Sequence, residues 1–301
     1  MNIAVCIKQV PSTEARITVS PQTSQVDLKA VEWVNSPYDE YALEEALRIR
    51  EKFGGTVTAI SLGPERARTA LKTALATGAD AALFVSDPAL GNADSYVTAR
   101  ALAAVLGERG CPAEGCTRFP YDLILCGTRG VDDDMGYVAV ALAEFLGLPH
   151  VSSITRLELN PDRKMARAHR EIEGATEVIE TTLPAVFTTQ RGLNEPRYPG
   201  LRGMMLAGKK GIPICKLAAR HPPADPDQEV GRSGGEGVLA HLAHPAQGTV
   251  LRLEPDQLKP RLQVLKAVLP AERKAGRVIE GTPQDAVREL VRALREEAKV
   301  V

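Results

Sequence analysis

The first half of the chain alternates short apolar runs with amphipathic stretches. Asn2–Ile7 (NIAVCI) is a compact β-branched run. Tyr41–Phe53 places Leu43, Ala46, Leu47 and Phe53 on one face and Glu44, Glu45, Arg48 and Glu51 on the other. That spacing predicts a helix, with Glu44 and Arg48 in an i,i+4 pair. Thr56–Ser61 predicts a strand ended by Gly63-Pro64, and Ala67–Gly78 a helix closed by its glycine. Ala81–Val85 predicts a strand, Ala93–Leu106 a helix and Asp122–Cys126 a buried strand. Asp134–Gly147 predicts a helix with Val138, Leu142, Phe145 and Leu146 inward. Strands alternating with helices imply a parallel sheet covered on both faces. Ligands then bind beyond the carboxyl ends of the strands. The loops that matter are Lys8–Pro11, Leu62–Pro64, the segment from Asp87, and Gly127–Asp134.

The pattern changes after residue 150. Ser153–Leu159, Met165–Glu173 and Thr176–Leu183 read as strands joined by Asn160-Pro161-Asp162 and by Gly174. This predicts a small antiparallel insertion over 151–182. Pro184–Thr189 returns to the main sheet. Residues 217–248 are rich in Pro, Gly and His and read as a linker or extended arm. A last helix begins at Thr282-Pro283-Gln284-Asp285, with Thr282 as N-cap and Pro283 in the first turn. Its apolar stripe is Val287, Leu290, Val291 and Leu294. Such a helix either docks on another chain or packs back on its own domain.

Composition narrows the class. The chain has 301 residues, 44% hydrophobic and 25% charged, enough for a substantial core. Lys plus Arg is 37 against 38 Asp plus Glu, and aromatics are only 4%, which argues against a nucleic-acid partner. No apolar run reaches membrane-spanning length, and the start reads as a strand, not a signal peptide. A cytoplasmic location with no direct membrane insertion is expected. Five cysteines are present; Cys6 and Cys126 sit in apolar strands and read as reduced thiols, and Cys111 and Cys116 lie in a Pro/Gly-rich loop without further metal ligands nearby.

Neither GxGxxG nor GxxxxGK[ST] occurs after a strand. Ser233-Gly234-Gly235 lies in the linker. The best phosphate loop is Cys126–Val138 (CGTRGVDDDMGYV), which leaves a strand and enters a helix. Gly127, Gly130 and Gly136 allow close backbone approach, and a helix start favours an anion. Asp132, Asp133 and Asp134 fit three roles: helix capping, acceptance from ribose hydroxyls, or a metal cluster. Ser36 and Asp39 in Ser36–Glu40 (SPYDE) can likewise cap a helix or face a ligand. His150, His169, His221, His241 and His244 are scattered, and no nucleophile–base set is visible, so no catalytic residue is expected.

Four motifs stand in order: VCIKQVP, NSPYDEYALEEALRI, CGTRGVDDDMGYV and LPAVFTTQRGLNEPRYPGLRGMM. Together they resemble the beta subunit of electron transfer flavoproteins, from Asn2 to about Lys210 and again in the final helix. The resemblance implies a doubly wound, mainly parallel α/β fold of the adenine nucleotide alpha-hydrolase type. It carries the antiparallel insertion and a C-terminal arm plus helix. A nucleotide-binding domain would span 1–215, with a recognition loop at 191–206. An arm and helix over 216–301 would dock on the partner subunit.

That resemblance also implies a heterodimer with an alpha subunit that holds the redox-active FAD. The beta subunit would hold AMP, using Cys6 through its backbone, Ser36, Pro37, Tyr38, Asp39, Leu62, and Gly127, Thr128, Arg129, Gly130, Val131, Asp132, Asp133, Asp134, Met135, Gly136, Tyr137 and Val138. Tyr38 matches an aromatic that approaches the alpha subunit's flavin. Leu193, Asn194, Glu195, Pro196, Arg197, Tyr198 and Leu201 match the loop that docks on flavin-dependent dehydrogenases, with Leu201 as its anchor. Glu171 matches an acidic residue that keeps partner domains mobile. Electrons would pass from acyl-CoA dehydrogenase-type partners to a quinone oxidoreductase.

Ser36 replaces an Asn of the respiratory branch, Gly136-Tyr137-Val138 replaces Asn-Gln-Thr, and Leu206 stands where some relatives carry a methylated lysine. KQVP, PYDEYA and the tail ERKAGRVIEG are nearer the nitrogen-fixation and electron-bifurcating branch. There a second FAD replaces AMP, and the protein oxidises NADH. A third reading is a stand-alone adenine-nucleotide-binding stress-type protein.

Overall fold

The computed structural model of the chain describes residues 1–29, 31–90, 93–107, 120–219, 249–253, 255–270, 276 and 278–300. Cys111, Cys116, His221, His241, His244, Ser233-Gly234-Gly235 and most of the expected linker lie outside the described residues. The chain begins β1 (Asn2–Cys6), β2 (Gln9–Pro11), β3 (Thr18–Val19), β4 (Val26–Asp27), β5 (Trp33–Asn35) and α1 (Pro37–Phe53). The alternation continues through β6 (Thr56–Leu62), α2 (Arg68–Thr77), β7 (Ala81–Val85), α3 (Ser95–Leu106), β8 (Leu123–Gly127) and α4 (Val138–Leu146). Next come β9 (His150–Asn160), β10 (Met165–Ile172), β11 (Ala175–Thr182) and β12 (Ala185–Thr189), then α5 (Leu201–Ala207), β13 (Ile214–Ala219), β14 (Thr249–Leu253) and α6 (Pro283–Arg292).

Two helix starts differ from the periodicity. α1 begins four residues before Tyr41, at Pro37, whose fixed φ suits the first turn and which has no N–H to leave unpaired. α4 begins at Val138 and not at Asp134. Asp134 has a positive φ of 53°, which no helix accommodates, so the aspartates stay in the preceding loop.

Ten strands form one sheet in the order β11-β10-β9-β12-β8-β1-β6-β7-β13-β14. The ladders from β9 to β14 are parallel, while β9–β10 and β10–β11 are antiparallel. The antiparallel strands are therefore an extension of the main sheet rather than a separate layer. β9 is 11 residues long: its start pairs with β12 and its remainder, from Ile154 on, with β10. Side chains alternate across the sheet with the strand period of two. Ile3 and Val5 face a core cluster with Leu43 and Leu47 of α1 and Leu71 and Leu75 of α2. Ala4 and Cys6 face the opposite cluster with Leu102 and Leu106 of α3 and Leu142 and Leu146 of α4. Cys6, Cys126 and Cys215 are buried and form no disulfide.

The chain divides into two compact units. The larger, residues 1–17 and 28–265, contains the ten-stranded sheet. The smaller, residues 18–27 and 266–301, contains the β3–β4 pair and α6, and the Ala267 N–H donates to the Ser24 carbonyl at 2.7 Å. In α6 the Thr282 hydroxyl caps the Asp285 N–H at 3.3 Å, as its sequence predicts. Val287, Leu290 and Val291 are exposed. Among the described residues no helix is long and apolar enough to cross a membrane.

The topology also fixes where a ligand belongs. From β1 the chain runs outward through β6 and β7, then returns to place β8 on the other flank of β1. Strand order reverses there, and in open α/β sheets the crevice at the carboxyl ends of such strands, here β1 and β8, is where ligands bind.

Candidate functional site

Asp39, on the first turn of α1, reaches into this crevice. One carboxylate oxygen accepts from the Lys8 N–H at 2.7 Å, the other from the Gly127 N–H at 2.8 Å. The side chain thus ties the end of β1 to the end of β8. Burial pushes its carboxyl up to about 7, against the two N–H donors that favour the charged form. Gly127 is obligatory here: a Cβ would collide with the Asp39 carboxylate and lie 2.7 Å from the Tyr38 Cβ. The capping reading of this segment gives way. Ser36 occupies the N-cap position, but its hydroxyl makes no capping bond, and Asp39 reaches across the sheet instead. The Ser36 hydroxyl is buried and has no partner among the described residues. Cys6 ends β1, and Leu62, at the end of β6, packs on the cluster that holds Cys6 and Cys126. The Cys126 thiol is pushed well above its ordinary pKa by its hydrogen bond to Cys6 and by burial.

Thr128–Tyr137 form the rim. The Lys8 ammonium contacts Asp132 at 2.8 Å and Asp133 at 2.9 Å. Burial lowers the pKa of Lys8, but these two partners outweigh it and raise it. Asp133 also accepts from the Met135 N–H at 3.1 Å, and Asp134 pairs with Arg129 at 3.1 Å. Arg129 lies over the Tyr38 ring and donates to its hydroxyl at 3.3 Å. The aspartates therefore do not cap α4, and among the described residues no group of three or more His, Cys, Asp or Glu is placed to hold a metal ion. Tyr137 is the N-cap residue of α4 and has no side-chain cap bond. A helix start without such a cap suits an anion. Gly130 sits close beneath Asp132 and Lys8, and Gly136 beside the Thr128 carbonyl. Val131 lies on the same rim.

The segment 193–201, expected from the resemblance to dock on a partner, lies along the middle of α1. Asn194 donates to the Tyr41 carbonyl and to the Glu45 carboxylate, both at 3.0 Å. Arg197 binds buried Glu44 at 2.7 and 2.9 Å and also pairs with Glu51. Leu193 packs partly on the core. Pro196 and Arg197 line a groove of about 210 Å³ against Asn35, Tyr41, Thr73 and Thr77, and Glu195 stands beside them. Beyond this inner side, Tyr198 is 94% and Leu201 74% exposed. Core packing does not account for Leu201. Glu171 is exposed on β10, opposite Thr176, away from α1.

Residues 23–219 match the family model of the electron transfer flavoprotein domain. The chain is 35% identical over 302 residues to the electron transfer flavoprotein subunit beta of Bacillus subtilis (strain 168), covering 100% of both. The chain belongs to the electron transfer flavoprotein family, as a beta subunit. It is also 40% identical to the subunit beta of Thermoanaerobacterium thermosaccharolyticum over 71% of this chain and 78% of that one. Similarity extends to Protein FixA of Azotobacter vinelandii, 33% identical over 81% of this chain and 84% of that one.

Membership in the electron transfer flavoproteins brings an association with flavin and a heterodimer with an alpha subunit. The crevice residues fit a nucleotide: the unpartnered Ser36 hydroxyl suits a ribose or base edge, and the uncapped start of α4 suits a phosphate. Four residues at this candidate site go beyond those the sequence singles out. The sequence marks Lys8 only through its loop, by its position after the first strand. Thr189 donates to the Tyr38 carbonyl at 2.8 Å and to that of Cys126 at 3.2 Å. Ser153 shares a 2.8 Å hydrogen bond with Thr128, and its N–H donates to Thr188 at 2.7 Å. Nothing in the sequence marks those three, because each contact joins distant segments.

Proposed function

We propose that this chain is the nucleotide-holding and partner-docking half of a cytoplasmic electron carrier. The FAD held mainly by the alpha subunit supplies the redox chemistry. The heterodimer would thereby accept electrons from flavin-dependent dehydrogenases of the acyl-CoA type and pass them to a quinone oxidoreductase. Leu201 and the segment before it dock on the dehydrogenase, Glu171 keeps the docked domains mobile, and Tyr38 approaches the alpha subunit's flavin. Ser36, Asp39, Leu62 and the 127–138 loop hold AMP. The arm and α6 dock on the alpha subunit. No bond-making residue is assigned to this chain.

The observation that carries the docking reading is the 74% exposure of Leu201 on a segment whose inner side is pinned to α1. Burying one leucine contributes about 1.5–3 kcal/mol. Leu201→Ala in the heterodimer is expected to raise KM for a reduced acyl-CoA dehydrogenase roughly tenfold or more. Nucleotide content and subunit pairing should be retained. An unchanged KM contradicts the docking role.

The likeness to Protein FixA favours a second reading, with FAD in place of AMP in this subunit and oxidation of NADH. NADH oxidation by the purified heterodimer, with two flavins bound, selects that reading.

A further inference from the structure

We infer that Arg197 is the positioning residue of the docking segment: it holds the backbone of 194–200 so that Tyr198 and Leu201 project, and does not itself meet the partner. This rests on the docking role proposed for Leu201. Residues 194–200 carry no helix or strand of their own. A segment without regular structure loses backbone freedom when it docks, and prior fixing removes that loss. Here the fixing comes from α1. The Arg197 guanidinium makes a two-point contact with Glu44, at 2.7 and 2.9 Å, and two contacts with Glu51. The Arg197 N–H also donates to Glu44 at 3.2 Å, so main chain and side chain are held by the same carboxylate.

Glu44 is buried, at 4% exposure, and also receives Arg48 at 3.1 Å. A buried carboxylate is tolerated only with such partners, which makes this a fixed anchor rather than a surface ion pair. The hydrogen bond from Arg197 holds the Glu51 carboxyl below its ordinary pKa, and the two glutamates raise that of Arg197. Asn194 closes the other end of the span on Tyr41 and Glu45. Pro196 and Pro199 restrict the chain between. The large apolar side chains left exposed are Tyr198 and Leu201, followed by Met204, Met205 and Leu206 of α5, while the Arg197 side chain keeps 37% exposure beside them.

A planar, forked donor is needed to serve two carboxylates at once, and lysine supplies only a point charge. The test uses the heterodimer with Arg197→Lys, Glu51→Gln and Leu201→Ala. It measures KM and kcat with the acyl-CoA dehydrogenase that reduces the wild-type protein, and amide hydrogen exchange over residues 193–201. Arg197→Lys should raise KM about tenfold, equivalent to about 1.4 kcal/mol. The same variant should keep kcat at saturation and speed exchange across the segment. Glu51→Gln, at a largely exposed position, should move both in the same direction by less, and it decides the matter if Arg197→Lys does not fold. The inference is overturned if the segment exchanges faster while KM stays unchanged, or if neither quantity moves while Leu201→Ala still raises KM. An unchanged KM in Leu201→Ala instead overturns the docking role on which the inference rests.

Discussion

Asp39 concentrates the consequences of this fold at the residue scale. Its carboxylate is buried, yet it joins the ends of two central strands. Its folded pKa, about 7, lies above the unfolded value of about 3.9. Between those values the folded chain holds a proton that the unfolded chain has released. Stability from this group is therefore present at low pH, declines as pH rises from about 4, and is fully lost above about 7. Asp39→Asn should remove that slope, so thermal melts from pH 4 to 8 should show a flatter profile than wild type. An identical slope in both proteins would contradict the assignment. Gly127→Ala tests the same junction sterically. Its methyl meets the Asp39 carboxylate and Tyr38, so a loss of about 1–3 kcal/mol of stability is expected by chemical denaturation. Bound nucleotide should be lost with it.

The element scale centres on α1. Its start carries Ser36 and Asp39 to the crevice, and its middle and last turn carry Glu44, Glu45 and Glu51 to the proposed docking segment. A single rigid helix therefore positions both sites. Its amphipathic face was legible from Tyr41 onward, because core-facing leucines repeat with the helical period. Its partners were not, because Glu44–Arg197 and Asp39–Gly127 join residues 153 and 88 apart in sequence. The same limit explains α4: period alone extends it back to Asp134, and only the backbone conformation there ends it at Val138. β10 and β11 were legible as strands, whereas their continuity with the main sheet depends on β9 pairing with two neighbours. α6 is fully readable, since its N-cap, proline and apolar stripe are all local. With Val287, Leu290 and Val291 exposed, Leu290→Asp should weaken association with the alpha subunit about tenfold, measured by titration calorimetry, and leave the melting temperature of this chain unchanged.

At the scale of the whole molecule, the sheet places the reversal of strand order between β1 and β8. The residues that the family resemblance selects from scattered segments, Ser36, Asp39, Gly127 and the loop to Val138, meet at that point. The proposed docking segment leaves from the end of β12, next to β8, and folds back on α1. The proposed electron carrier would use this division, with a nucleotide held inside and an apolar anchor outside. The most direct measurement is to co-express the chain with its alpha subunit, purify the complex, and separate the extracted nucleotides by chromatography. A heterodimer containing one FAD and one AMP, reducible by an acyl-CoA dehydrogenase, is the predicted result. A stable lone chain that carries ATP and no flavin would contradict it.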